Sequence, residues 1–119
     1  MEIIYLLMVV RKIHLMESFK NQLITFFINY GDEKNEEKLN RVLWELEKKF
    51  RADAHYYIKR GDYNPNEVIE ILDTIKREGF FEQGLKDVEI AQKEFLIRRL
   101  HTIFRNIENY MKILRNWYR

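Results

Sequence analysis

The sequence predicts an all-α fold, a bundle of four main helices with a long C-terminal helix, and three observations carry that prediction. Apolar residues recur at spacings of 3 and 4 through most of the chain. The four glycines fall at the ends of those stretches or between them. The single proline stands at the start of one stretch, where a helix tolerates it. With 119 residues there is room for one hydrophobic core, so residues 1–119 are expected to form a single helical domain.

The first helix is read from Ile13, Met16, Phe19, Leu23, Phe26 and Phe27 and ends at Gly31, taken as a left-handed residue just past the helix end. Before it, Ile3 to Val10 is an apolar run of eight residues. That is shorter than the roughly 20 residues of a membrane span, and Glu2 stands where a secretory signal carries basic residues. Neither an anchor nor a signal is expected, and the run is read as helix, with a short strand as the alternative. Met8 and Met16 leave open where translation begins.

Asp32 to Glu37 is a polar linker into the second helix, whose apolar stripe is Leu39, Leu43, Leu46, Phe50, Ala54 and Tyr57. Lys59 and Arg60 suit the negative end of the helix dipole, and Gly61 stops it. Asn64-Pro65-Asn66-Glu67 then combines a cap, a proline at the first helical position and a glutamate able to reach back to the cap. The third helix buries Val68, Leu72 and Ile75 and closes at Gly79. Phe80, Phe81 and Gly84 are read as a short apolar connection. The last helix runs from about Lys86 to the end, with Leu96, Leu100, Ile103, Ile107, Met111, Leu114 and Tyr118 on one side. At 1.5 Å per residue it spans about 50 Å, long enough to project or to meet another chain. A homo-oligomer is therefore expected.

The formal charge of +2 is unevenly distributed. Residues 62–84 carry 2 basic and 6 acidic side chains, whereas 85–119 carry 8 and 4. With no cysteine the chain has no disulfide framework and no thiolate chemistry, which suits a reducing, cytoplasmic setting. His14, His55 and His101 fall on three helices without i, i+4 partners, so no metal site and no cofactor are implied.

Placed at 100° per residue, Arg41, Lys48, His55 and Lys59 share one stripe of the second helix, opposite its apolar face, with Trp44 and Arg51 beside it. On the last helix Arg98, Arg105, Lys112 and Arg119 repeat every seven residues, bordered by His101 and Arg115. Cationic rows interspersed with an aromatic ring suit single-stranded RNA, because phosphate neutralisation releases counterions and a ring can stack on a base. A plain solvated face is the competing reading, with Arg41–Glu45 and Glu94–Arg98 as i, i+4 pairs.

Three further readings follow from particular residues. Arg51 and His55 invite comparison with helical ribonucleases of the HEPN type, whose signature separates Arg and His by four to six residues; here three intervene. A histidine acid–base beside a phosphate-holding arginine is coherent chemistry. Residues 64–81 resemble the second half of a helix-turn-helix DNA-binding regulator, but the next helix leaves no room for a wing, and the segment is the most acidic of the chain. A purely structural interaction protein is the third.

The order of features resembles a known family. A polar linker leads into a helix ending Phe50-Arg51-Ala52-Asp53-Ala54-His55-Tyr56-Tyr57-Ile58-Lys59-Arg60-Gly61. A short helix follows, and then a last helix carrying Phe104-Arg105-Asn106-Ile107-Glu108-Asn109-Tyr110-Met111-Lys112. Over about residues 20–119 this is similar to the small helical subunit of type III-A CRISPR-Cas effector (Csm) complexes. The resemblance implies a non-catalytic bundle that lines crRNA and target RNA in a filament of copies and contacts other effector subunits. The apolar run Ile3 to Val10 departs from the family's polar lead.

Overall fold

The computed structural model describes residues 2–117, with the side chains of Ile3 and of 14–117. It consists of α1 (Glu2–Tyr30), α2 (Glu36–Lys59), α3 (Pro65–Arg77), a short α4 (Phe80–Gly84) and α5 (Ile90–Trp117). Among the described residues there is no strand, so the apolar run at 3–10 is helix and the strand alternative is set aside. The side chains of residues 4–13, and Tyr118, lie outside the described residues.

Each helix buries most of the stripe that its sequence spacing sets apart, with Met16 of α1 only half-buried. α1 contributes Leu15, Phe19, Leu23, Phe26 and Phe27, and ends differently from expectation. Gly31 is not left-handed; the chain continues through a right-handed turn in which the Glu33 amide donates to the Tyr30 carbonyl at 3.1 Å. Asn35 caps α2 by accepting the Lys38 amide at 3.1 Å, and Glu36 and Glu37 meet the positive end of the helix dipole. Buried along α2 are Leu39, Leu43, Phe50, Ala54 and Ile58. Leu46 and Tyr57 are only half-buried; Tyr57 packs edge-on against His14 of α1 and against Tyr63. Leu46 instead lines an apolar groove of about 390 Å³ with Phe26, Tyr30 and Val42, between α1 and α2.

The end of α2 is fixed locally. Gly61 adopts φ 82°, the Gly61 amide donates to the Ile58 carbonyl and the Asp62 amide to that of Tyr57, both at 3.0 Å. This pair of bonds satisfies carbonyls that the helix leaves free and requires a left-handed residue. A Cβ at Gly61 would meet no atom within 4 Å, so the cost of Gly61→Ala is conformational alone, about 1 kcal/mol. Urea unfolding should show that loss, and Gly61→Asn should lose less.

At α3 the Asn64 side chain accepts the Glu67 amide at 2.9 Å while the Asn64 amide donates to the Glu67 carboxylate at 3.1 Å, with Pro65 at the first position. Val68, Ile71, Leu72 and Ile75 make this helix a core element. The surface it leaves carries Glu67, Glu70 and Asp73 together with Lys76 and Arg77 in its last turn. The Phe80–Gly84 segment is a helical turn rather than an irregular connection. Phe81 is buried with its ring 5.0 Å from that of Phe104, and Leu85 is buried behind it. Anchoring these two residues delays the last helix to Ile90, and Glu89 accepts the Lys93 amide at its start. At 1.5 Å per residue α5 is about 42 Å long, against a molecular long axis of 49 Å, so it runs nearly the length of the protein.

Round the bundle the order is α1, α2, α5, α3, with each neighbouring pair packed together. α1 runs antiparallel to α2: His14 meets Tyr57 edge-on at 6.4 Å, and further along α1 Phe19 packs on the earlier Phe50 at 4.6 Å. α2 and α5 run parallel, since Asn40 pairs with Arg99 and, two turns on, Glu47 with Asn106. The two helices with cationic rows are therefore side by side and in register.

Candidate nucleic-acid interface

The outward positions of α2 hold Arg41, Lys48 and Lys59, all exposed, with Trp44 56% exposed and Lys48 Nζ 4.9 Å from its ring centroid. On α5, Arg98, Arg105 and Lys112 are exposed, and the seven-residue spacing keeps them on one edge. Arg115 is exposed and donates to Asn66 at 3.2 Å; His101 is exposed with its ring edge-on to Phe81 at 5.5 Å. Arg119 lies outside the described residues. Because α2 and α5 are parallel neighbours, the two rows border one face of the molecule.

His55, read as part of the open stripe, and Arg51, read as beside it, are not open. Both are half-buried in the seam between α2 and α5, where Tyr110 occupies the space between them. The Tyr110 hydroxyl is hydrogen-bonded to His55 Nδ1 at 3.0 Å, and the Arg51 guanidinium lies 5.6 Å from the Tyr110 ring centroid. The correction has a geometric cause: a wheel drawn for one helix locates its core face but not the flank covered by a parallel neighbour. Tyr110, Arg99 and Asn106 are the seam residues that sequence reasoning leaves out. Their α2 partners are 55 to 59 positions away, beyond any local spacing.

The charges on this face are uncompensated. Among the described residues Arg41, Lys48, Arg51, Lys59, Arg98, Arg105 and Lys112 have no carboxylate within ion-pair distance, and the expected Arg41–Glu45 and Glu94–Arg98 pairs are not formed. Carboxylates elsewhere are engaged: Glu78 by Lys20, Glu89 by Lys34, Glu33 by Lys38, Asp53 by Lys49 and Asp62 by Arg60. α5 itself carries six basic residues and two acidic ones.

One of those two, Glu108, belongs to a separate cluster between α5 and α3. Its buried Oε1 meets Lys76 Nζ at 2.9 Å as an ion pair rather than an aligned hydrogen bond, and Lys76 also pairs with Asp73 at 3.3 Å. Burial pushes the Glu108 carboxyl above its ordinary value, and the hydrogen bond that its protonated form donates to the Asp73 carboxylate adds to the rise against the opposing pull of Lys76. At Asp73 burial also pushes upward, but the Glu108 hydrogen bond and Lys76 outweigh it and the carboxyl is lowered. A raised folded-state value stabilises the fold at low pH, and that contribution is lost as pH rises from about 4.5 through the folded-state value. Denaturant midpoints measured across this range should therefore fall in the wild type through the Glu108 titration. The fall should be absent in Glu108→Gln, which keeps the shape and loses the titration. Among the described residues no group of three or more His, Asp or Glu side chains is placed to hold a metal ion. Nor, among them, is any helix long and apolar enough to cross a membrane.

The arrangement thus offers two cationic edges, a seam with amide and aromatic groups and, among the described residues, no cluster suited to a metal. No protein-family model matches the chain, and neither curated proteins nor solved structures give a match.

Proposed function

We propose that this chain is a non-catalytic RNA-binding subunit of a larger ribonucleoprotein assembly, acting in the cytoplasm. The observation that carries the reading is the pairing of α2 and α5 in parallel, which puts two rows of cations without carboxylate partners along one face. Phosphates are the natural counter-charge for such a face, and each one neutralised releases condensed counterions. The resemblance described above gives the assembly its identity within the proposal: the small subunit of a type III-A CRISPR-Cas (Csm) effector complex, lining crRNA and target RNA. In that setting a weak contact per subunit is multiplied by the effective concentration of neighbouring copies. Self-association of the isolated chain is part of the proposal, supported by exposed Ile24 and Ile28 one turn apart on α1, away from the cationic face.

The test is a salt titration of binding to single-stranded RNA, for the isolated chain and for the assembled complex. Two or three phosphate contacts give a slope of roughly 1.4 to 2.1 in log affinity against log salt. No binding at low salt in either form refutes the reading. The meeting of Arg51, His55 and Tyr110 favours one second reading, the HEPN-like ribonuclease. The same samples decide it: RNA recovered intact supports the binding role, and fragments that disappear with His55→Ala support the enzyme.

A further inference from the structure

We infer that the α2–α5 seam is a base-stacking track for a single-stranded polynucleotide, with Trp44, Tyr110 and Trp117 as its platforms; this rests on the RNA-binding reading. The chain has two tryptophans, and both are exposed, Trp44 at 56% and Trp117 at 77%. Trp44 precedes Arg51 by seven residues and Trp117 follows Tyr110 by seven, so each lies two turns away on the same side of its helix. Arg51 and Tyr110 are in contact at the middle of the seam. The three rings therefore succeed one another along the parallel helices at intervals of about 10 Å.

The central ring is held in place. His55 binds its hydroxyl at 3.0 Å and stands edge-on to it at 6.0 Å, and Arg51 lies over its face. In this arrangement Arg51 and His55 act as positioning residues for Tyr110. A fixed ring loses little freedom when a base stacks on it, which raises the net gain. Stacking needs unpaired bases, since those of a duplex already cover each other, so the track selects single strands.

Charge selects a polynucleotide over a second copy of the chain. Two copies joined through this face would bring Arg41, Lys48, Arg98, Arg105 and Lys112 of each against those of the other, with the Glu47 carboxylate of the seam too little to offset them. Phosphates running along the same edges carry the opposite sign.

The experiment is fluorescence titration of the full chain at low salt with a short oligouridine and with duplex RNA of equal length. Trp44 and Trp117 are the only tryptophan emitters, so their emission reports the track directly. Single strands should quench it and the duplex should not. Trp44→Leu and Trp117→Leu should each weaken oligouridine binding about tenfold without changing the salt slope, because stacking is uncharged. Trp44→Phe and Trp117→Phe, which keep a ring, should recover most of the affinity, and an unchanged circular dichroism spectrum shows each variant folded. Salt-dependent binding with unquenched emission overturns the track and leaves the cationic reading standing. Equal quenching by the duplex, or a concentration-dependent emission shift without RNA, overturns it as well. Absence of any binding removes the RNA reading itself.

Discussion

Reversing Arg98, Arg105 and Lys112 together to glutamate is expected to weaken single-stranded RNA binding roughly 100-fold at low salt and to lower the salt slope by about 2. The slope follows from three phosphate contacts at about 0.7 each, and the additional loss reflects repulsion where attraction stood. All three side chains are exposed, with no ion pair among the described residues to lose, so the fold should be unaffected. Circular dichroism and the denaturant midpoint check that separation. If affinity and slope stay at wild-type values, the α5 row is a solvated face, and Arg41, Lys48 and Lys59 become the remaining cationic candidates.

The largest effect on stability is expected at Phe104. Its side chain is fully buried, with ring centroids 6.2 Å from Phe50 and 5.0 Å from Phe81, so it ties α5 to α2 and to the short α4. Phe104→Ala leaves a cavity where three helices meet and should cost about 3–5 kcal/mol. A domain of this size has about 5–15 kcal/mol in total, so the variant is left marginal, with a melting temperature lower by more than about 10 °C. Phe104→Leu, which keeps most of the volume, should lose far less. A loss below about 1 kcal/mol in urea unfolding would mean that α4 and α2 collapse onto the vacated space.

The parts of the fold legible in the sequence are those encoded within a few residues. Asn64, Pro65 and Glu67 define a helix start by their own hydrogen bonds, and Lys59, Arg60 and Gly61 define a stop, so both appear where spacing and turn chemistry place them. Asn35 is not marked out by its neighbours, because the polar run from Asp32 to Glu37 offers several capping side chains. What the sequence does not encode locally is which helices become neighbours. Arg41, Lys48 and Lys59 are exposed as periodicity implies. Arg51 and His55 are drawn into the seam by Tyr110, a residue 55 positions from His55 whose relevance depends on α2 and α5 being parallel. The same non-local cause places Phe81 and Leu85 in the core and turns an apparent connection into a helix.

The parallel pairing of α2 and α5 also dictates when the candidate interface comes into being. A helical hairpin closes as soon as its second arm is made, but α2 must wait for α3 and α4 to be laid down before its partner helix starts at Ile90. Loop closure over 55 to 59 residues is thus a precondition of the seam, and such distant contacts form late. During synthesis, α2 emerges with its cationic row and Trp44 while the ring that Arg51 and His55 hold does not yet exist. A nascent or C-terminally truncated chain therefore carries only half of the candidate surface, and the proposed polynucleotide contact would be completed only by α5.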